Sequence, residues 1–156
     1  MKDKNKKIQL QFRLIEIKKL SYFENNLEDL DFKKKIDINK LPFQLGVLLS
    51  INDKAGIIEI ILKVTYYFNY NYKKYDLLGL NTSHKFEIKD FINTFHKNDK
   101  DEYFIPDQIM ANLLGMSISG TRGMLAVLNT SQQYNKIIFP LINPIDVLKS
   151  GKNQKK

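Results

Sequence analysis

Few residues in this chain have the types and spacing that chemistry demands. His84 and His96 are the two histidines, and there is no cysteine to join them. A zinc centre takes three or four His, Cys or carboxylate ligands, so here it would need acids from positions that no spacing marks. Each histidine therefore reads as a satisfied or surface side chain. The string GMSISGTRG, 115–123, has neither the Lys-Ser/Thr end of a phosphate loop nor the glycine spacing of a dinucleotide fingerprint, and no buried strand precedes it. Arg122 within it could hold a phosphate, although an ion pair or a helix surface is the plainer reading. The acids Asp29 and Asp31, and those of Asp99 to Glu102, fall in polar stretches where solvation explains them. These residues lead us to expect no catalytic residue, no metal and no cofactor: the chain reads as a binding protein and not as an enzyme.

What stands out instead is apolar surface. The stretch IEIILKVTYYFNYNY, 58–72, places Ile58, Ile60, Leu62, Val64, Tyr66, Phe68, Tyr70 and Tyr72 on one face of a strand. Its aliphatic half is expected to lie beneath a helix, with the tyrosines carrying that face to its margin. The segment SYFENNLEDLDF, 21–32, reads as a connection, yet it carries Phe23, Leu27, Leu30 and Phe32. A connection this apolar either caps a core or lines a groove.

The formal net charge of +8 allows a polyanionic partner. Much of it lies in Lys2, Lys4, Lys6 and Lys7 at one end and Lys149, Lys152, Lys155 and Lys156 at the other, where solvated tails account for it. Nucleic acid is thus the alternative partner, with Tyr66, Phe68, Tyr70 and Tyr72 stacking bases beside Lys73 and Lys74. The absence of cysteine suits a reducing compartment. Gln9, Gln11, Arg13 and Glu16 interrupt the apolar residues that follow the first lysines, which does not fit a signal peptide. No run reaches the roughly 20 apolar residues that span a bilayer. The expected place is the cytoplasm, without membrane insertion.

The elements follow from periodicity. A hydrophobic content of 43% in 156 residues supports one folded core. Alternation predicts a first strand over Ile8–Phe23, with a phase slip at Ile15 that implies a bulge. A second strand is expected over Phe32–Ile51, bent near Asn39–Leu41 with Pro42 at an edge, and Asn52–Gly56 as a turn leads into the third. The fourth runs Tyr75–Ile88 after Lys73 and Lys74. Four such strands in succession form an antiparallel meander.

The period then changes: Ile105, Ile109, Met110, Leu113, Leu114, Leu125 and Leu128 predict a long helix from Pro106 to about Asn129. Along it Ala111, Gly115, Ser119 and Gly123 form a stripe of small residues. That stripe implies either close packing on a second copy of the helix or a break in the helix. A short last helix, Ile145–Lys149, starts at Asn143 and Pro144 and should stop at Gly151. The fold class is α+β, a four-stranded antiparallel sheet with one long and one short helix on one side. A Lys-rich tail, 1–7, and a basic tail, 151–156, flank a single domain, 8–150.

The order of these elements and several strings resemble the SecB protein-export chaperone family. The run FRLIEIKKLSYFEN, 12–25, is similar to that family's first strand and its Ser-Phe-Glu ending, here interrupted by Tyr22. IEIILKVT, 58–65, is similar to its third strand, Phe86–Ile88 to the close of its fourth, and FPLINP, 139–144, to the segment before its last helix.

The resemblance implies an ATP-independent holdase, a homotetramer built as a dimer of dimers around the long helices, that holds unfolded or extended clients in apolar grooves. By position the groove would comprise Phe23, Leu27, Leu30 and Phe32 from the connection, Phe43, Leu45 and Val47 from the second strand, and Leu141, Ile142, Ile145 and Leu148 from the end. Ala111, Gly115, Ser119 and Gly123 would form the oligomer interface, and Glu24 would match a contact to the SecA export motor. The chain departs from the family in being basic and in placing Gly79 where an acid on the sheet is expected. These departures argue against delivery to the motor and for a dedicated partner, for instance an antitoxin.

Overall fold

The computed structural model describes residues 10–153. The expected tail 1–7, the first residues of the expected first strand and residues 154–156 lie outside the described residues. The long strands are β1 (Phe12–Glu24), β2 (Phe43–Asn52), β3 (Ile57–Tyr70) and β4 (Lys73–Ile88). A short helix α1 (Phe91–Thr94) and a small hairpin, β5 (His96–Lys97) with β6 (Tyr103–Phe104), lead to the long helix α2 (Asp107–Leu128) and the last helix α3 (Pro144–Asn153). The fold is α+β, as the periodicities predict.

The sheet order is β1-β4-β3-β2, all antiparallel. Only β2, β3 and β4 succeed one another as a meander. β1 lies beyond β4, so the expected four-strand succession is corrected to a Greek-key order. The physical reason lies in 25–42, which does not extend β2 but crosses the end of the sheet in three 3-10 turns. Asn26 accepts from the Glu28 N–H at 3.1 Å and Asp37 from the Asn39 N–H at 3.0 Å, local bonds that compete with a ladder. Ile36 and Ile38 alternate in sequence, yet they belong to these turns and not to a strand.

β1 carries register shifts at Leu14/Glu16 and Lys19/Ser21. The first is the phase slip read at Ile15; the second, at Leu20, adds another bulge. The β3–β4 hairpin closes through Asn71 (φ 49°) and Tyr72 (φ 60°), two consecutive positive values of the kind that match strand twist in a two-residue turn. The turn is therefore two residues earlier than the expected Lys73 and Lys74. Tyr72 leaves the aromatic face and stands fully in solvent.

One face of the sheet meets α2. Ile58, Ile60, Leu62 and Val64 on β3 are at most 1% exposed, and α2 covers them with Leu113, Leu114, Ile118 and Leu125. Burying each such side chain stabilises the fold by roughly 1.5–3 kcal/mol. A polar seam threads this layer: Thr82 and Thr121 hydroxyls lie 2.7 Å apart, and Thr121 and Ser117 also donate to helix carbonyls one turn back at 2.9 Å.

α2 is unbroken through Gly115, Gly120 and Gly123, which excludes the break that these glycines allowed. At Gly120 a Cβ would stand 2.8 Å from the His84 ring, so glycine is what lets helix and sheet approach. α3 begins as predicted, Asn143 accepting from the Ile145 N–H at 3.1 Å with Pro144 as its first residue. It then continues through Gly151 to Asn153 where a stop was expected.

Candidate functional site

The segment after α2 is held open by particular bonds. Asn129, 6% exposed, donates from Nδ2 to the carbonyls of Tyr134 at 2.5 Å and Ile137 at 3.3 Å. Tyr134 is fully buried and donates its hydroxyl to the Asn25 carbonyl at 2.5 Å, while Gln133 accepts from the Leu27 N–H at 2.6 Å. These bonds tie the loop to the β1–β2 connection. Burial raises the Tyr134 hydroxyl to about 12, so it remains a donor at neutral pH.

From there the chain runs extended. Ile137 and Phe139 turn inward, whereas Ile138 and Leu141 are 72% and 85% exposed. Between this segment and α2 lies a trough of about 760 Å³. Its floor is Gly115, Ser119, Gly123 and Ala126, whose small side chains recess the helix surface, and its far wall runs from Ile137 to Ile142. A second hollow of about 330 Å³ lies on the other side of the same segment, lined by Ile38, Leu41, Phe43, Tyr66 and Pro140 among others. The two share Ile137, Ile138 and Pro140, so one apolar strip borders both. Phe43 forms the corner, its ring edge-on to Phe139 at 5.5 Å and tilted on Tyr66 at 5.6 Å.

The predicted groove residues divide. Phe43, Leu141 and Ile142 line these hollows, and Ile145 and Leu148 line a small one of about 90 Å³ between α3 and the start of α2. Leu27, Leu30 and Leu45 are half-buried against the core, and Val47 is 38% exposed on the edge strand β2. Phe32 is corrected from lining to core: it is 7% exposed, stacked on Tyr70 at 4.4 Å and packed against Tyr75 at 4.6 Å. Phe23 lies on the opposite face of the sheet, where its ring fills the space a side chain at Gly79 would need. Gly79 is thus the seat of Phe23.

The small-residue stripe is likewise divided. Ala111 is buried within the chain, and a Cβ at Gly115 would come 3.2 Å from Pro144, so this end is occupied by the chain itself. Ser119 and Gly123 face the trough. Glu24 accepts from the Ser131 hydroxyl at 2.6 Å, an intramolecular duty. Of the tyrosine run, Tyr66 is 4% exposed, Tyr70 is stacked on Phe32 and Tyr72 stands apart in solvent, so these rings do not form one open face.

Residues that the sequence did not assign to a groove complete the trough: Ile138, Ala126, Asn129 and Arg122. Arg122 follows Ser119 by three residues and precedes Ala126 by four, which places it on the same helical face. That spacing was the available signal.

Among the described residues no three His, Cys, Asp or Glu side chains gather as a metal site. No helix among them is long and apolar enough to cross a membrane. The arrangement defines an α+β domain whose recessed helix and exposed strip can hold an apolar segment. Compared with known proteins, no family model and no curated protein matches the chain. A solved structure described as a protein of unknown function from Streptococcus agalactiae is similar at 14% identity over 76% of this chain and 90% of that one, with a TM-score of 0.33.

Proposed function

We propose that the protein is a SecB-like, ATP-independent holdase that binds unfolded or extended polypeptides along the strip 137–142 and the hollows beside it. The observation that carries this reading is the pair Ile138 and Leu141, large apolar side chains 72% and 85% exposed, set between two concave walls. Contiguous apolar surface next to a concavity marks a place where another chain is received. Extended chains need only such pockets and free backbone groups, many weak contacts giving a useful sum.

The assembly we propose is a homotetramer. β1, an edge strand, exposes Ile15, Ile17 and Leu20 at 43%, 44% and 47%, and such an edge calls for a cover. A dedicated client fits better than delivery to an export motor, since Glu24 is engaged by Ser131 and the Gly79 position is filled by Phe23. A reducing compartment, the cytoplasm, suits a chain without cysteine.

The test is suppression of aggregation of a chemically unfolded model protein, without nucleotide, by the parent and by Ile138→Asp/Leu141→Asp. Both side chains point to solvent, so the variant should fold normally and lose most of the suppression. No suppression by a correctly folded parent overturns the reading.

A further inference from the structure

We propose that the trough selects polypeptide segments that carry a carboxylate within an apolar run, with Arg122 as the anchor. This rests on the holdase reading and names the class of client that the site favours.

Arg122 is half-buried in the wall of the trough, beside Ser119 and Gly123. Arg122 meets no acid among the described residues; lysines such as Lys19 and Lys63 also lack one but stand exposed in water, whereas Arg122 is partly withdrawn from it. A guanidinium presents five N–H donors in a planar fork that fits a carboxylate with two parallel bonds. Partly withdrawn from water and without a partner, it is a donor set lacking its acceptor.

A second group points the same way. Asn129 lines the trough and has spent both Nδ2 hydrogens on the loop, yet its Oδ1 is buried without any donor. That oxygen has no surface of its own, so it gains a donor such as a backbone N–H only when the trough wall shifts to admit one. A fork for a carboxylate, an apolar wall from Ile137 to Ile142 and this unsatisfied acceptor behind it together describe a peptide.

Other occupants fit less well. The chain's own ends carry Lys2, Lys4, Lys6 and Lys7 or Lys152, Lys155 and Lys156, which would meet Arg122 with like charge. A second α2 packed about a two-fold axis at Ser119–Gly123 would set Arg122 against Arg122.

The experiment uses the full chain and short labelled apolar peptides in three forms: a central Glu with amidated end, Gln in its place with amidated end, and Gln with a free C-terminal carboxylate. The Glu peptide should bind about tenfold tighter than its amidated Gln partner. Arg122→Gln should abolish that ratio by weakening the Glu peptide alone. Lys54→Gln, which removes the same charge at the β2–β3 turn, should keep it. A gain for the free-end peptide as well extends the selected group to chain termini; no gain restricts it to acidic side chains, and either result supports the anchor. Equal binding of the Glu and amidated Gln peptides, or a ratio that survives Arg122→Gln, overturns the anchor and leaves the holdase reading intact. Failure of all three peptides to bind overturns both.

Discussion

His84 lies beneath α2 at 0% exposure, against Gly120, and neither ring nitrogen meets a partner of good geometry. Burial lowers its basicity below the usual 6.5, and the nearby Ile60 main chain offsets this only in part. The unfolded chain takes up a proton near 6.5, while the folded one resists until a lower pH. Between those values the unfolded state holds more protons, so stability falls as the pH falls, by at most about 1.4 kcal/mol per pH unit. Thermal unfolding followed from neutral pH to pH about 5 should show a falling melting temperature in the parent and a flatter profile in His84→Leu. That variant should be no less stable at neutral pH, because replacing an unpaired buried polar group by an apolar one of similar volume leaves no orphan behind. An unchanged pH profile in the variant would assign the loss to other groups. In the sequence His84 reads as a satisfied or surface side chain; the structure corrects this to a buried and unpartnered one. Its missing partner could not be read from the sequence, because that depends on the distance to Gly120.

At the scale of elements, legibility followed from whether a residue's neighbours record its phase. The bulge at Ile15 is visible because apolar residues on both sides shift face. The bulge at Leu20 is not, since Lys18 and Lys19 are solvated on either face. Ile36 and Ile38 imitate a strand because a 3-10 turn also leaves both half-buried. The stripe Gly115, Ser119, Gly123 was legible as a face, yet its partner was not: Pro144, distant in sequence, takes one end, and the segment from Ile137 to Ile142 overlooks the other.

The β3–β4 turn shows the same limit. Asn71 suits a positive φ, but Tyr72 at φ 60° is a bulky side chain in the left-handed region. Tyr72→Gly creates the Asn-Gly pair favoured in such turns, and Tyr72 is fully exposed, so little packing is lost. Urea unfolding should show a gain of about 0.5–1 kcal/mol. A loss would mean that Tyr72 makes a contact in the assembly.

For the whole molecule, the decisive matter is how a chain with so much apolar edge avoids open-ended pairing. The outer edge of β1 is unpaired in the sheet, and its two bulges twist it without removing Ile15, Ile17 and Leu20 from solvent. Bulges and edge lysines such as Lys18 and Lys19 restrain open-ended pairing, but a closed symmetric contact remains compatible with them. This edge is separate from the trough, which lies between α2 and the segment from Ile137 to Ile142. Assembly and client binding should therefore respond to different substitutions. Ile15→Lys/Leu20→Lys should lower the mass measured by light scattering from a tetramer toward a smaller species, with little change in the far-ultraviolet spectrum. The same variant should still bind the Glu-bearing peptide, because Arg122 and its wall are untouched. If the parent itself is a monomer, the β1 edge is tolerated alone and the tetramer fails. If the variant loses mass and peptide together, the trough is completed by a neighbouring subunit and the division of labour between edge and trough is wrong.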